Sequence, residues 1–320
     1  WDTVYTLSIR AWDAVGHAGD LREGVDTAVR LPDWALPLTV TTPDAAYNLF
    51  VAVADDATAG FDPGLDEEAV TLGRDAGRVF LEGPDDTHPE LAYDVRPNAD
   101  TVAWTLITEA GDTPATLSWD ADAILDGRHM WLVRMDGDRP VPASLVDLAE
   151  ATPVTLAAPA RYQLAFSVRQ ARAAFVSRGW QLFALPLDAS NASLAEIFPN
   201  ARLVVYAVQN DQGKQPVARK VTDLEGLQPC WLFADAADAA VVVGDPGQPS
   251  MTLNTGWNLV VSDQDGRLPN HAQLSPIAWE WVPGSRGSGR YHAVTLLRAG
   301  HVYWVHWSGT EAGELELLAP

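Results

Sequence analysis

The chain has 320 residues, 47% hydrophobic and 20% charged, with a formal net charge of -22. That length allows two or three domains with their own cores, and that composition excludes a disordered chain. The acidity disfavours nucleic acid and anionic membrane surfaces, which need a basic protein face, and no apolar run approaches the ~20 residues that span a bilayer.

Residues 1 to 12 open the chain with period-2 alternation, Tyr5, Leu7 and Ile9 pointing one way and Val4, Thr6 and Ser8 the other. That is the pattern of a strand with one apolar face. Its backbone and apolar face both need a partner, so it is either an edge of the first domain or a strand donated to a neighbouring subunit. The chain starts at Trp1 without a signal peptide, as a mature processed protein or a trimmed fragment would. Further strands are predicted at Leu36 to Val40, Tyr47 to Ala54, Arg78 to Leu81, Leu91 to Val95, Val102 to Thr108, Ala115 to Trp119, Met130 to Met135 and Tyr162 to Val168. Turn chemistry separates them, for example Gly83-Pro84-Asp85 and Asp136-Gly137-Asp138. This spacing predicts an antiparallel β-sandwich. Helical candidates are few: Ala171 to Val176, and Ser193 to Ile197, where Ser193 and Glu196 have capping-box spacing.

Beyond residue 170 the chain repeats itself. Gly179-Trp180-Gln181-Leu182 recurs as Gly256-Trp257-Asn258-Leu259, 77 residues on. Leu203 to Val208 is echoed by Ile277 to Val282, and Trp231 by Trp304, 73 residues on. Landmarks recurring in order at near-constant spacing indicate an internal duplication. The fold class expected is all-β, an Ig-like antiparallel sandwich followed by two duplicated small β modules. The divisions are 1–170 for the sandwich region, 176–248 for the first repeat and 249–320 for the second, with 1–43 a donor strand or the remnant of a preceding domain.

Three stretches carry family resemblances. Tyr5 to Gly16 resembles a late strand of extracellular immunoglobulin-like or fibronectin-type repeats. The phrases Asp56-Ala57-Thr58-Ala59-Gly60-Phe61-Asp62, Thr116-Leu117-Ser118-Trp119-Asp120 and Tyr162 to Val168 resemble modules of large secreted or surface-displayed bacterial proteins. The glycine that precedes the Asp-Ala-Thr phrase in that family is absent, Ala54 being the nearest residue. The paired Gly-Trp units resemble β-rich repeats near the C-termini of bacterial extracellular proteins. These resemblances imply secretion or cell-surface display and a scaffold or attachment role. They supply no catalytic residue.

Candidate chemistry is sparse. Asp55, Asp56, Asp62 and Asp66 cluster around Gly60 and Gly64 and are candidate calcium ligands, although the EF-hand frame is missing and aspartates also form turns. Calcium is the one cofactor this pattern admits. Seven histidines show no zinc spacing, and neither a nucleophile elbow nor a phosphate loop occurs. Cys230, the single cysteine, sits in an apolar strand and reads as a buried thiol. Thirteen tryptophans are many for this length. Those at repeated places, Trp180, Trp257, Trp231 and Trp304, read as core. Trp281 and Trp307, with Tyr291, are the candidates for stacking on a glycan, Trp281 because repeat one has Val208 at its place. The function expected is therefore non-enzymatic: an extracellular structural subunit or surface module assembling with itself or with other surface proteins, in a filament or layer, by strand addition. The rival is a carbohydrate-binding or adhesion module with polysaccharide as partner. Neither reading involves nucleic acid or membrane insertion.

Overall fold

A computed structural model of the chain describes residues 32–69, 78–109, 114–150, 153–189, 193–209, 217–222, 224, 227–246, 251–262, 265–283 and 289–319. The strand candidate containing Tyr5, Leu7 and Ile9 lies outside the described residues. What is described is all-β. Among the described residues no helix is long and apolar enough to cross a membrane.

The first strands are β1 (Trp34–Thr41), β2 (Ala46–Ala54), β3 (Glu67–Glu68), β4 (Arg78–Glu82), β5 (Glu90–Pro97), β6 (Thr101–Glu109) and β7 (Ala115–Trp119). Next come β8 (His129–Asp136), β9 (Arg139–Pro140), β10 (Val146–Asp147), β11 (Val154–Leu156) and β12 (Ala160–Ser167). The eight strands expected from alternation all form, because each offers one apolar face to a core. In β1, Trp34, Leu36, Leu38 and Val40 are buried, with more accessible residues between them.

The described residues fall into two compact units, one from 32–123 and 153–159, the other from 124–152 and 160–319. In the first unit the strands run β6-β4-β5-β2-β1-β7-β11, with β3 beside β5. Its pairings are antiparallel except one: β2 and β5 are parallel, Val51 facing Asp94 and Val53 facing Arg96. The unit is thus not the purely antiparallel sandwich expected. The chain between Ala54 and Glu90 crosses over before it returns beside β2, as a parallel pair requires.

In the second unit β12 and β10 flank β8, and β9 closes a hairpin on β8. Two modules follow. The first has β13 (Gln170–Val176), β14 (Gly179–Phe183), helix α1 (Leu194–Ile197), β15 (Leu203–Gln209), β16 (Val217–Val221), β17 (Cys230–Ala234) and β18 (Asp238–Gly244). The second has β19 (Met251–Leu253), β20 (Gly256–Val261), β21 (Gly266–Arg267), β22 (Ala278–Pro283), β23 (Gly289–Val294), β24 (Leu296–Leu297), β25 (Val302–Trp307) and β26 (Gly313–Leu315). Each builds a four-stranded antiparallel sheet of the same order, β14-β17-β15-β16 and β20-β25-β22-β23. Each adds a two-stranded sheet from the strand before and the strand after, β13-β18 and β19-β26. Registers agree as well: Leu182 faces Trp231 where Leu259 faces Trp304, and Tyr206 faces Trp231 where Trp279 faces Trp304.

One predicted helix forms and one does not. Ser193 caps α1 reciprocally with Glu196, the capping box that the spacing predicts. Residues 171–176 lie in strand β13 instead, their alanine-rich propensity overridden by six register pairs with β18.

Each module has its own core. In the first, Val176, Phe183, Leu185, Phe198, Cys230 and Leu232 pack together. In the second, Leu253, Val260, Tyr303, Val305 and Trp307 do so. A third cluster joins the modules: Leu259 and Val302 of the second with Ala184 of the first, backed by Leu182, Trp231, Val261 and Trp304. Strand alternation explains it, since residues with even and odd numbers leave opposite faces of the sheet. One face of each sheet fills its own core, and the other turns to its neighbour.

Candidate functional site

The Gly-Trp landmark is a bend with three coupled parts. Gly179 and Gly256 have φ of 107° and 100°, a region L-residues rarely adopt. No atom crowds the position where a side chain on Gly256 would stand, so the backbone conformation alone demands glycine there. The next residue, Trp180 or Trp257, projects on the outer face. The residue after it returns inward, and its carboxamide ties the bend. Gln181 Oε1 accepts from Ser177 N–H and its Nε2 donates to Ser177 C=O, both at 3.2 Å. Asn258 does the same to Asn254 at 2.8 and 2.7 Å, and donates to Gly256 C=O at 3.0 Å. Both amides are buried. They substitute for a peptide group at a place where two strands diverge.

On the outer face of the first module, Trp180 of β14, Tyr206 of β15, Ala218 of β16 and Trp231 of β17 line an apolar recess of about 370 Å³, and Trp281 of the second module completes it. That is near the lower end of the ~300–1,000 Å³ typical of small-molecule sites. The rings are inclined to one another, Trp180 to Tyr206 by 43° at 6.0 Å and Trp231 to Trp281 by 77° at 5.2 Å. Trp281 is held from three sides. Its Nε1 donates to Trp180 C=O at 3.2 Å, Tyr291 meets its ring edge-on at 5.1 Å, and Gly289 leaves room for the indole. A Cβ on Gly289 would stand 2.2 Å from the ring. Trp281 also lines a neighbouring cleft of about 390 Å³ beside Arg172, Glu280 and His301, where His301 Nδ1 lies 2.7 Å from Glu280 Oε1.

Of the glycan candidates, Trp281 stands in the recess wall and Tyr291 is exposed behind it. Trp307 is elsewhere, and its assignment to a binding surface is corrected: it is 6% exposed in the core of the second module. Its Nε1 donates to Glu311 C=O at 2.8 Å, and the backbone at Gly309 and Gly313 closes against its ring. The expectation of core for Trp180 and Trp257 is also revised, since both are exposed, Trp257 by 47%. Sequence reasoning missed Tyr206 and Ala218 as recess residues. The signal for them was their place on one face of adjacent strands.

The aspartates do not converge on a metal. Asp62 accepts from Thr58 N–H and its hydroxyl at 2.6 and 3.0 Å. Asp66 accepts from Asp62 N–H at 2.7 Å and Val95 N–H at 2.8 Å. Asp55 takes a 3.3 Å bond from Asn98. Among the described residues no group of three His, Cys, Asp or Glu side chains could hold a metal ion. The calcium expectation is corrected accordingly: the carboxylates of Asp62 and Asp66 are committed to loop N–H groups, the usual work of aspartate in turns, and that of Asp55 to the Asn98 amide. Burial raises the carboxyl of Asp66, and the two N–H donors oppose that. Asp265, next to Gly266, likewise accepts from Ala299 N–H at 2.9 Å. Cys230 is fully buried, and burial pushes its thiol up to about 12.

No family model, curated protein or solved structure matches this chain.

Proposed function

We propose that the chain is a non-enzymatic module of a secreted or surface-displayed protein that binds polysaccharide, with the two C-terminal β modules descended from one duplicated unit. The observation that carries this is the convergence of Trp180, Tyr206, Trp231 and Trp281 around one open apolar recess. A sugar ring presents a face of C–H groups, weakly positive, which suits the negative face of an aromatic ring. Its hydroxyls stay at the rim in water. Inclined rings grip one sugar unit on more than one side, and Trp281 is preorganised by its own packing, which lowers the ordering cost of binding. Equal strand order and register in the two four-stranded sheets support the duplication. Strand-addition assembly rests on Tyr5, Leu7 and Ile9, which lie outside the described residues.

The test is a polysaccharide and oligosaccharide panel titrated against the full chain, followed by tryptophan fluorescence. Saturable binding is expected, weakened at least tenfold in Trp281→Ala and retained in Trp257→Ala. Absence of binding across the panel, or equal binding by Trp281→Ala, refutes the reading.

A further inference from the structure

The two modules share strand order and register, and among the described residues the recess lies on the first. Register gives the reason. Val208 pairs with Ala218 in the first module, and Trp281 pairs with Tyr291 at the same place in the second. Ala218 therefore occupies the position of Tyr291. Where the second module fills the space with a phenol packed on Trp281, the first leaves a methyl group and an opening.

Two residues along the same edge strand a second difference appears. Lys220 pairs with Tyr206, and its counterpart Ala293 pairs with Trp279. Residues i and i+2 of a strand share a face, so Lys220 stands on the recess side with Ala218. Opposite residues in a ladder have Cβ atoms about 4.5–5.5 Å apart, which places the exposed lysine beside the Tyr206 wall. The whole chain has two lysines, Lys214 and Lys220, against 43 acidic residues. Lysine and arginine together number 21, and Lys220 is one of these positive groups that stands at the recess rim. At physiological ionic strength the Debye length is about 8 Å, so a rim lysine governs a bound ligand more than the distant net negative charge does.

We propose that Ala218 and Lys220 together set the specificity of this recess for a saccharide that carries a carboxylate, a uronic-acid unit. The sugar's C–H face lies against the aromatic rings through the opening that Ala218 leaves. Its carboxylate pairs with the Lys220 ammonium at the rim. This rests on the saccharide reading above and adds the charge of the ligand to it.

The experiment uses the full chain with three probes: tri-uronates of the galacturonate and mannuronate series, the same oligomers methyl-esterified, and choline. Esterification removes the charge and keeps the ring. The acids are expected to bind about three- to fivefold more tightly than the esters at 50 mM salt, the range of one exposed ion pair. The preference is expected to vanish in Lys220→Met, to persist in Lys220→Arg, and to fade at 500 mM salt. Ala218→Tyr, which installs the second module's residue, is expected to abolish binding of acid and ester alike while leaving the thermal transition in place. If acid and ester bind equally and Lys220→Met changes nothing, the charge assignment is wrong and the saccharide reading stands. If neither acid, ester nor any neutral glycan binds, both fall. Choline binding that Ala218→Tyr removes would make the recess a cation cage instead and overturn the proposal.

Discussion

Replacing Asn258 by alanine tests whether the carboxamide of the landmark holds its bend. The side chain is 1% exposed and makes three hydrogen bonds, two to Asn254 and one to Gly256. Truncation strands the N–H and C=O of Asn254, and a buried polar group left unpaired costs about 1–3 kcal/mol. Two such groups give about 2–6 kcal/mol, a large share of the ~5–15 kcal/mol that holds a domain folded. At about 2–4 °C per kcal/mol for a unit of this size, the transition should fall by roughly 4–24 °C. Gln181→Ala is the internal comparison. Its two bonds are each 3.2 Å and its side chain is 8% exposed, so water replaces it more readily and about 1–2 kcal/mol is expected. The assay is urea unfolding followed by tryptophan fluorescence and far-UV circular dichroism, comparing midpoints at constant slope. Equal costs below about 0.5 kcal/mol for both variants would refute the argument, and so would a larger cost for Gln181→Ala.

Two further outcomes follow from the same geometry. Gly256→Ala should cost about 1–2 kcal/mol through its backbone alone, since nothing crowds the site, whereas Gly289→Ala should displace the Trp281 ring and shift the fluorescence of the native state. Equal spectra for the two variants would refute that contrast. Cys230, buried and with its thiol pushed up to about 12, should resist Ellman's reagent at pH 8 in the native protein and react fully in denaturant. Rapid native labelling would mean that the strand opens locally.

The first domain's strands were legible because each is long, alternating and bounded by turn residues, so local pattern and tertiary burial agree. Two errors have a common origin in partners distant along the chain. Residues 171–176 read as helix until Val241 to Val243 are known to lie alongside, and the parallel β2–β5 pair depends on a crossover that no local period encodes. The tryptophans show the limit of comparing repeats. A position that differs between the two modules reads as exposed, which fits Trp281 in the recess wall but not Trp307, which replaces Ala234 inside a core. Both differences fall at contacts that the two modules do not share. The recess was half legible: Trp281 marked it, but its other walls needed the register of β14, β15, β16 and β17.

The joining cluster of Leu182, Leu259, Val302 and Trp304 also bears on how such modules can multiply. The contact is one-sided: Trp281 of β22 reaches over Trp180 and Trp231 of the first module, while Trp257, which stands where Trp180 does, is exposed on the second. A contact of that kind is heterologous and does not close on itself. The second module therefore still offers around Trp257 the surface that the first offers around Trp180, and a further unit of this kind would have a face on which to dock.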